Sequence, residues 1–313
     1  MTHWGIVSTI RAPLPEILDF AAWHLEQGAE RLFLYLDEDD PAALAVLNAH
    51  PRITARHTDA DWWARRKGRP EMHQARQGLN ARHANNSAKG VDWLAHIDVD
   101  EFLIPATPIA DQLAALPPAC LCARVRPIEA LAPGDAADPG ETLFKAFHLH
   151  APDRQRAAEL CFPRWGAELS GGFLSHVAGK VFFRAGTQGL QIRIHNVFLD
   201  GVENPGIMEL PGIELGHFHA ADWDHFRDRL TFRLQRGSYR AELKPQVRRP
   251  GALSHHDLLA GILADGGEPA LRAFFDAVCV ASRPLCDRLA AAGLLRRHRM
   301  DLPTLRRKHF GPP

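Results

Sequence analysis

Through the first hundred residues, short apolar runs alternate with stretches of helical periodicity. Gly5-Ile6-Val7-Ser8-Thr9-Ile10 is a compact apolar run of the kind found in a strand covered on both faces. Pro13 and Pro15 follow, and Glu16 falls in a first helical turn, where its charge suits the helix dipole. Ile17, Leu18, Ala21, Ala22 and Leu25 then recur at helical spacing up to Gly28, a helix stop. Arg31-Leu32-Phe33-Leu34-Tyr35-Leu36 is a second strand that ends abruptly in Asp37-Glu38-Asp39-Asp40. The pattern predicts a helix over 42–49, a short strand over 53–57, a polar helix over 72–87 and a fourth strand, Trp93-Leu94-Ala95-His96-Ile97. Strands alternating with helices imply a mainly parallel sheet with right-handed crossovers, in which ligands bind beyond the carboxyl ends of the strands. Those ends carry Thr9 and Arg11, then Asp37, then Asp59 and Asp61, then Asp98 and Asp100. Acidic groups are thereby gathered along one edge of the expected sheet.

The middle of the chain changes character. Residues 117–140 are rich in Pro, Ala and Gly and read as loop around one strand, 121–126. Segments 180–184, 190–198 and 213–219 alternate apolar and polar residues, which predicts antiparallel or mixed strands. From Trp223 onward the periodicity is helical, with helices expected over 253–264, 268–280 and 282–295. No internal repeat or low-complexity segment stands out.

Composition narrows this picture without redirecting it. The 313 residues are 46% hydrophobic and 24% charged, ordinary for a globular protein with a large core. Lys plus Arg and Asp plus Glu both total 37, so net charge gives no pull toward nucleic acid. The 5 cysteines form no regular framework, and Cys120 and Cys122 have no second cluster to complete a metal site; reduced, buried thiols in a cytoplasmic protein are expected. A signal peptide and an apolar stretch long enough for a transmembrane helix are not expected.

The chemistry centres on His96-Ile97-Asp98-Val99-Asp100-Glu101-Phe102-Leu103. Two carboxylates just beyond an apolar strand can converge on one hard cation, Mg²⁺ or Mn²⁺, which shares its shell with phosphate oxygens and water. The bland alternative is a solvated acidic turn. A phosphatase of the haloacid-dehalogenase type would also place D-x-D here, but it would want Thr or Val where this chain has Phe102.

The chain resembles a family 2-type glycosyltransferase of the GT-A fold, in the branch whose metal motif reads D-x-D-E-F. The similar pieces are I-V-S-T-I-R, W-H-L-E-Q-G-A-E-R, L-Y-L-D, W-L-A-H-I-D-V-D-E-F-L, G-K-V-F-F-R, I-H-N-V-F-L and the G-H-F-H segment before a basic helix, spread over residues 4–240. Where relatives have Lys-Asn-Glu after the first strand, this chain has Arg11-Ala12-Pro13. The resemblance implies an α/β, Rossmann-like GT-A fold: a mixed, mainly parallel sheet flanked by helices, with a helical C-terminal extension. It implies a glycosyltransferase domain over 1–225, with a nucleotide-binding half (1–105) and an acceptor half (106–225), followed by a helical region over 226–313.

The resemblance further implies transfer of a sugar, with inversion, from a nucleotide-diphosphate donor, UDP by family habit, to a glycan or other hydroxyl acceptor. Thr9 and Arg11 would line the nucleotide pocket, Asp37 would meet base or ribose, and Asp59 or Asp61 would lie on the base's other side. Asp98 and Asp100 would hold the metal and diphosphate, and His217 would complete the metal shell. The alternatives for these residues are helix capping and loop solvation for Asp37 and Asp59, and a partly buried histidine for His217, among 18 in the chain. His217 and His219 share one side of an extended run, and His195 has a similar standing. Lys180 would meet phosphate or acceptor, or else snorkel at the surface. Arg229, Arg233 and Arg236 form a helical stripe that would close over a diphosphate or simply be solvated. Trp62 and Trp63, followed by Arg65, Arg66 and Lys67, would stack on a ligand or pack in the core. Glu168 and Asp222 are both candidates for the general base. Arg296, Arg297, Arg299, Arg306, Arg307 and Lys308 make a basic tail, solvated or in peripheral contact with anionic membrane. Two other classes compete: a sugar nucleotidyltransferase, for which Thr9-Ile10-Arg11-Ala12-Pro13 lacks a Gly-rich phosphate loop, and a non-catalytic nucleotide-sugar or glycan-binding protein.

Overall fold

In the computed structural model, which describes residues 1–247 and 250–311, strand β1 (Trp4–Ile10) is buried along its whole length. That is why its apolar run shows no alternation. Helix α1 (Leu14–Glu26) starts after Pro13, with Pro in its first turn and Glu16 near its positive end, and buries Ile17, Phe20, Ala21, Ala22 and Leu25. Gly28, at φ 92°, stops it. There follow β2 (Arg31–Leu36), α2 (Pro41–Asn48), β3 (Ile53–His57), α3 (Ala60–Ala64), α4 (His73–Ser87), β4 (Trp93–His96), β5 (Glu101–Pro105), α5 (Ile109–Ala114) and β6 (Cys122–Ala130). The middle of the chain adds β7 (Glu141–Lys145), α6 (Ala151–Cys161), β8 (Lys180–Arg184), β9 (Gln191–Ile192), β10 (Val197–Leu199), β11 (Val202–Glu203) and β12 (Met208–His217). The last part contains α7 (Trp223–Gln235), α8 (His255–Cys279), α9 (Arg283–Ala291), β13 (Leu295–Arg299) and α10 (Leu302–Phe310). None of the described helices is long and apolar enough to cross a membrane.

Packing divides the chain into two units. Unit 1 comprises Met1–Arg126, Ala178–Leu215 and the residues from Asp301. Within it β3, β2, β1 and β4 lie side by side and parallel, while β8 runs antiparallel to β4 and to the first part of β6. This is the expected mixed, mainly parallel sheet with helical crossovers, a Rossmann-like arrangement of the GT-A kind. Its core includes Val7, Phe33, Tyr35, Trp62, Trp63, Leu94, Val181 and Phe183. Helix α4 closes on the small antiparallel sheet β9–β10–β11 through Gly78, where a Cβ would come 2.7 Å from the Ile192 carbonyl oxygen. Its hydrophilic sequence is explained by what it buries: Gln77, Asn80 and Asn85 as well as alanines.

Unit 2 comprises Pro127–Val177 and Gly216–Met300. The end of β6 pairs with β7, and β7 pairs antiparallel with β13. Helix α6 packs with α9, and α7 with α8 through Trp223, Phe226 and Phe275. Two helices were expected over 253–280; α8 spans both, broken at Gly267, whose φ of 61° and ψ of −153° interrupt the helix just before Pro269.

Packing thus groups the residues differently from a cut at 225, and the last part of the chain is not wholly helical, since β13 lies within it. The basic tail is not a free tail. Arg297 pairs with Glu141 on β7 in unit 2. In unit 1, α10 packs on α1, with Arg306 on Asp19 and Lys308 and His309 on Glu26. Acidic partners 156 to 287 residues away leave no local signal, and Arg297, Arg299, Arg307 and Lys308 remain exposed to solvent. All 5 cysteines are buried and free, as expected.

Candidate functional site

The D-x-D-E-F run forms a tight turn between β4 and β5, closed by the Glu101 amide donating to the Asp98 carbonyl. Glu101 is fully buried and accepts back from the Asp98 amide at 2.9 Å, so the residue after the acidic pair locks the turn. Phe102 packs edge-on to Phe20 and Trp23 of α1 and stacks on His24. Trp23 donates its indole N–H to the Leu103 carbonyl, and the Leu103 amide donates to His24 Nε2 at 3.1 Å. Because Nε2 accepts, Nδ1 carries the proton and donates to the Phe20 carbonyl at 2.8 Å. Burial drives the His24 pKa down to about 3, so the ring is neutral. The Glu-Phe-Leu half of the motif therefore fixes the turn on α1 and leaves Asp98 at its mouth, 27% exposed.

Lys180, at the start of β8, is fully buried, with its ammonium 2.6 Å from Asp98 Oδ2 and 3.2 Å from Glu101 Oε2. Burial alone opposes its charge, but the two carboxylates outweigh it and hold the pKa above the ordinary lysine value. Burial likewise opposes ionisation of Asp98. The charge and hydrogen bond of Lys180, with smaller effects from His96 and His73, hold its carboxyl well below the usual range. Lys180 is neither a surface lysine nor a snorkelling one; a β-strand position that faces two carboxylates is invisible to hydropathy. Gln77 of α4 donates to Asp98 Oδ1. Gln77 is 2% exposed, and its own Oε1 finds no partner among the described residues.

A second feature lies at the carboxyl ends of β2 and β3. A cleft of about 580 Å³ is lined by Asp37, His57, Thr58, Asp59, Trp63 and Arg69. The Asp37 carboxylate accepts from Thr58 and pairs with Arg69 at 2.9 Å and Arg76 at 3.0 Å. Trp63 is buried, and its indole N–H has no acceptor among the described residues. Asp59 caps α3, accepting from the Trp62 amide at 2.7 Å, as its capping alternative anticipated, while also lining the cleft. Asp61 is exposed in the first turn of the same helix. Trp62 is core: it meets Tyr35 and His83, donates to Asn80, and carries Arg66 over its ring at 3.3 Å. Thr9 is buried and accepts from Asn80. Arg11 points to solvent and pairs with Glu38, so it does not line this cleft. Sequence reading missed Arg69, Arg76, Gln77 and Thr58; only the unusual polarity of residues 72–87 hinted at two of them.

His195, also in unit 1, bonds through Nδ1 to the Gly179 carbonyl, and burial drives its pKa down to about 3. Unit 2 holds the remaining candidates. His217 ends β12, 5.1 Å ring to ring from His219 and 6.4 Å from His176. Asp222 is the N-cap of α7, accepting from the His225 amide, and Glu168 accepts from the Leu253 amide. Arg229, Arg233 and Arg236 do not form one stripe. Arg233 is buried and donates to the His219 carbonyl at 2.7 Å, Arg229 is half-buried and Arg236 is exposed. Positions i, i+4 and i+7 would share one face of a continuous helix, but α7 ends at Gln235, and Arg236 is its C-cap at φ −137°, outside the helical register.

A hard cation at this turn would meet the Asp98 carboxylate at its mouth, engaged by Lys180 and Gln77, and the Gln77 Oε1 carbonyl oxygen, buried and without a partner among the described residues. Among the described residues no group of three or more His, Cys, Asp or Glu is placed to hold a metal. Mg²⁺-type sites commonly use one or two carboxylates and take their remaining ligands from substrate phosphate and water.

No known family's sequence profile matches the chain, and no curated protein matches it. Among solved structures it is similar to HddC from Yersinia pseudotuberculosis, at 10% identity over 45% of this chain and 67% of that one, with a TM-score of 0.29. It is also similar to the galactosyltransferase LgtC in complex with donor and acceptor sugar analogs, at 10% identity over 58% of each chain, with a TM-score of 0.30. Likeness at this level carries no argument about activity.

Proposed function

We propose that the protein is a metal-dependent glycosyltransferase that moves a sugar, with inversion, from a nucleotide-diphosphate donor, a UDP-sugar, to a hydroxyl of a glycan or other acceptor. The observation that carries this reading is the shared edge of unit 1. The cleft around Asp37 and the ionised Asp98 both lie at the carboxyl ends of parallel strands in one sheet, on either side of β1, where open α/β sheets bind nucleotides. Asp37, Thr58, Asp59 and the indole N–H of Trp63, without an acceptor among the described residues, suit a base and ribose, with acceptors and donors both present. Asp98 and Asp100 would hold the cation, which when bound would neutralise the departing diphosphate. Lys180 keeps Asp98 ionised at neutral pH, and Glu101 with Phe102 keeps its turn rigid. The acceptor's proton is assigned to Asp222 or Glu168, and loss of turnover in Asp222→Asn or Glu168→Gln selects between them.

The test is release of nucleoside diphosphate from a panel of nucleotide sugars with Mn²⁺. Asp98→Ala and Asp100→Ala should each lower release by at least about 100-fold, the scale of losing a charge-stabilising group. Unchanged release in both variants contradicts the proposal. Binding of UDP without release from any donor and acceptor pair would instead mark a binding protein.

A further inference from the structure

Unit 2 buries a polar cluster that the proposed transfer does not use. At its base Glu129 and Lys145, both fully buried, pair at 3.0 Å. Glu129 also accepts from the Leu174 and Ser175 amides, and Lys145 donates to the Gly172 and Val278 carbonyls. That pair is neutral and fully satisfied. Around it stand His219, Tyr239, His255 and Arg233. The Tyr239 hydroxyl meets His219 Nε2 at 2.5 Å, its ring lies 5.5 Å from His255, and the Arg233 guanidinium sits 5.7 Å from the same ring.

Arg233 is the anomaly. It is 6% exposed, yet among the described residues no carboxylate pairs with it and its Nη1 has no partner; it donates to the His219 carbonyl and to the Tyr239 hydroxyl. A buried guanidinium without a counter-charge costs several kcal/mol, and buried donors in native proteins are nearly always paired. One further buried group in the same cluster lacks a partner among the described residues: His255 Nε2, 7% exposed, whereas the Ser175 hydroxyl is engaged by the Glu129 carboxylate. His255 opens α8 directly after its Ser254 cap, where helix polarity also favours negative charge. Burial lowers the His255 pKa to about 4, so the ring is neutral, with one N–H to donate, and Arg233 is the cluster's cation without a carboxylate partner among the described residues.

We infer that unit 2 contains an oxyanion site at Arg233, with His255 as a supporting group, which takes a phosphate or carboxylate group. A fixed cation with an unfilled N–H position, beside a neutral imidazole, is the chemistry that recognises such groups. The inference stands on unit 2 alone and does not depend on the glycosyltransferase reading.

The test is a thermal melt of the full chain in rising inorganic phosphate, and separately in acetate, against chloride at matched ionic strength. Phosphate, acetate or both should raise the melting midpoint saturably, by about 3–5 °C near saturation, and the effective salt names the source. Arg233→Met, of similar bulk, should abolish the response. A selenate soak of wild-type crystals keeps the inference falsifiable should that variant not fold. Its anomalous peak must lie within hydrogen-bond distance of Arg233 Nη1. No saturable rise in either salt, an undiminished response in Arg233→Met, or selenate peaks only elsewhere would each overturn the inference.

Discussion

Replacing Lys180 by Met removes an ammonium that faces both Asp98 and Glu101 while keeping most of the side-chain volume. The consequences differ for the two carboxylates. Asp98 is 27% exposed and can recover water, whereas Glu101 has no exposure. Deprived of the ammonium, Glu101 either stays ionised in a buried site or takes up a proton. For a carboxyl of ordinary pKa near 4.3, protonation at pH 7 costs about 3.7 kcal/mol, at about 1.36 kcal/mol per pKa unit. That value caps the loss through Glu101, and it agrees with the roughly 3–5 kcal/mol seen when one partner of a buried pair is removed. The cap shrinks with acidity, to about 1.6 kcal/mol at pH 5.5. Urea unfolding followed by tryptophan fluorescence suits the measurement, because Trp4, Trp23, Trp62, Trp63 and Trp93, five of the seven tryptophans, lie in unit 1. Lys180→Met should lose about 3–4 kcal/mol at pH 7 and less than about half of that at pH 5.5. Adding Glu101→Gln should recover part of the loss at pH 7. A loss independent of pH, or a double variant no more stable than Lys180→Met, would refute the reasoning.

Other consequences follow from buried groups. His24 is neutral in the fold, with a pKa near 3 against 6.5 when solvated, so its contribution is fully present above pH 6.5 and is lost progressively as pH falls toward 3. At pH 5 the expected loss is about 2 kcal/mol from this residue, and His24→Gln should flatten the pH dependence of the unfolding midpoint between pH 5 and 7 by about that amount. In unit 2, Gly172 has a φ of +77°, and a Cβ there would stand 2.0 Å from the Phe162 ring. Gly172→Ala should therefore cost about 2–4 kcal/mol, combining backbone strain with overpacking, measured as a lower melting midpoint. The same substitution at Gly28, where a Cβ would meet nothing within 4 Å, carries the strain without the clash and should cost less.

The donor-side architecture was legible because its signals are local. Strand runs with no alternation, a helix opened by Pro15 and Glu16 and closed by Gly28, and acidic residues just past each strand can all be read within a few positions. The partners of those acids could not be read. Arg76 meets Asp37 from 39 residues away, Lys180 meets Asp98 from 82, and nothing in the local pattern marks either. Glu101 and Phe102 were recognised as part of a motif, but their work, locking the turn and clamping it on His24, appears only when α1 and β5 are seen together. Unit 2 was least legible. β7 and α6 fall in a stretch that offered no pattern to read, and Arg233, read as one of a basic stripe that would close over a diphosphate or be solvated, is buried.

The central claim is that a nucleotide diphosphate binds along the strand ends of unit 1, its base side at Asp37 and its diphosphate side at Asp98. Isothermal titration of UDP in the presence of Mn²⁺ tests it directly, on the wild type and on Asp37→Ala and Asp98→Ala. Each substitution should weaken binding by at least about tenfold, or about 1.4 kcal/mol, and the Asp98 variant should lose the dependence on Mn²⁺. UDP affinity unchanged in both variants would contradict the account.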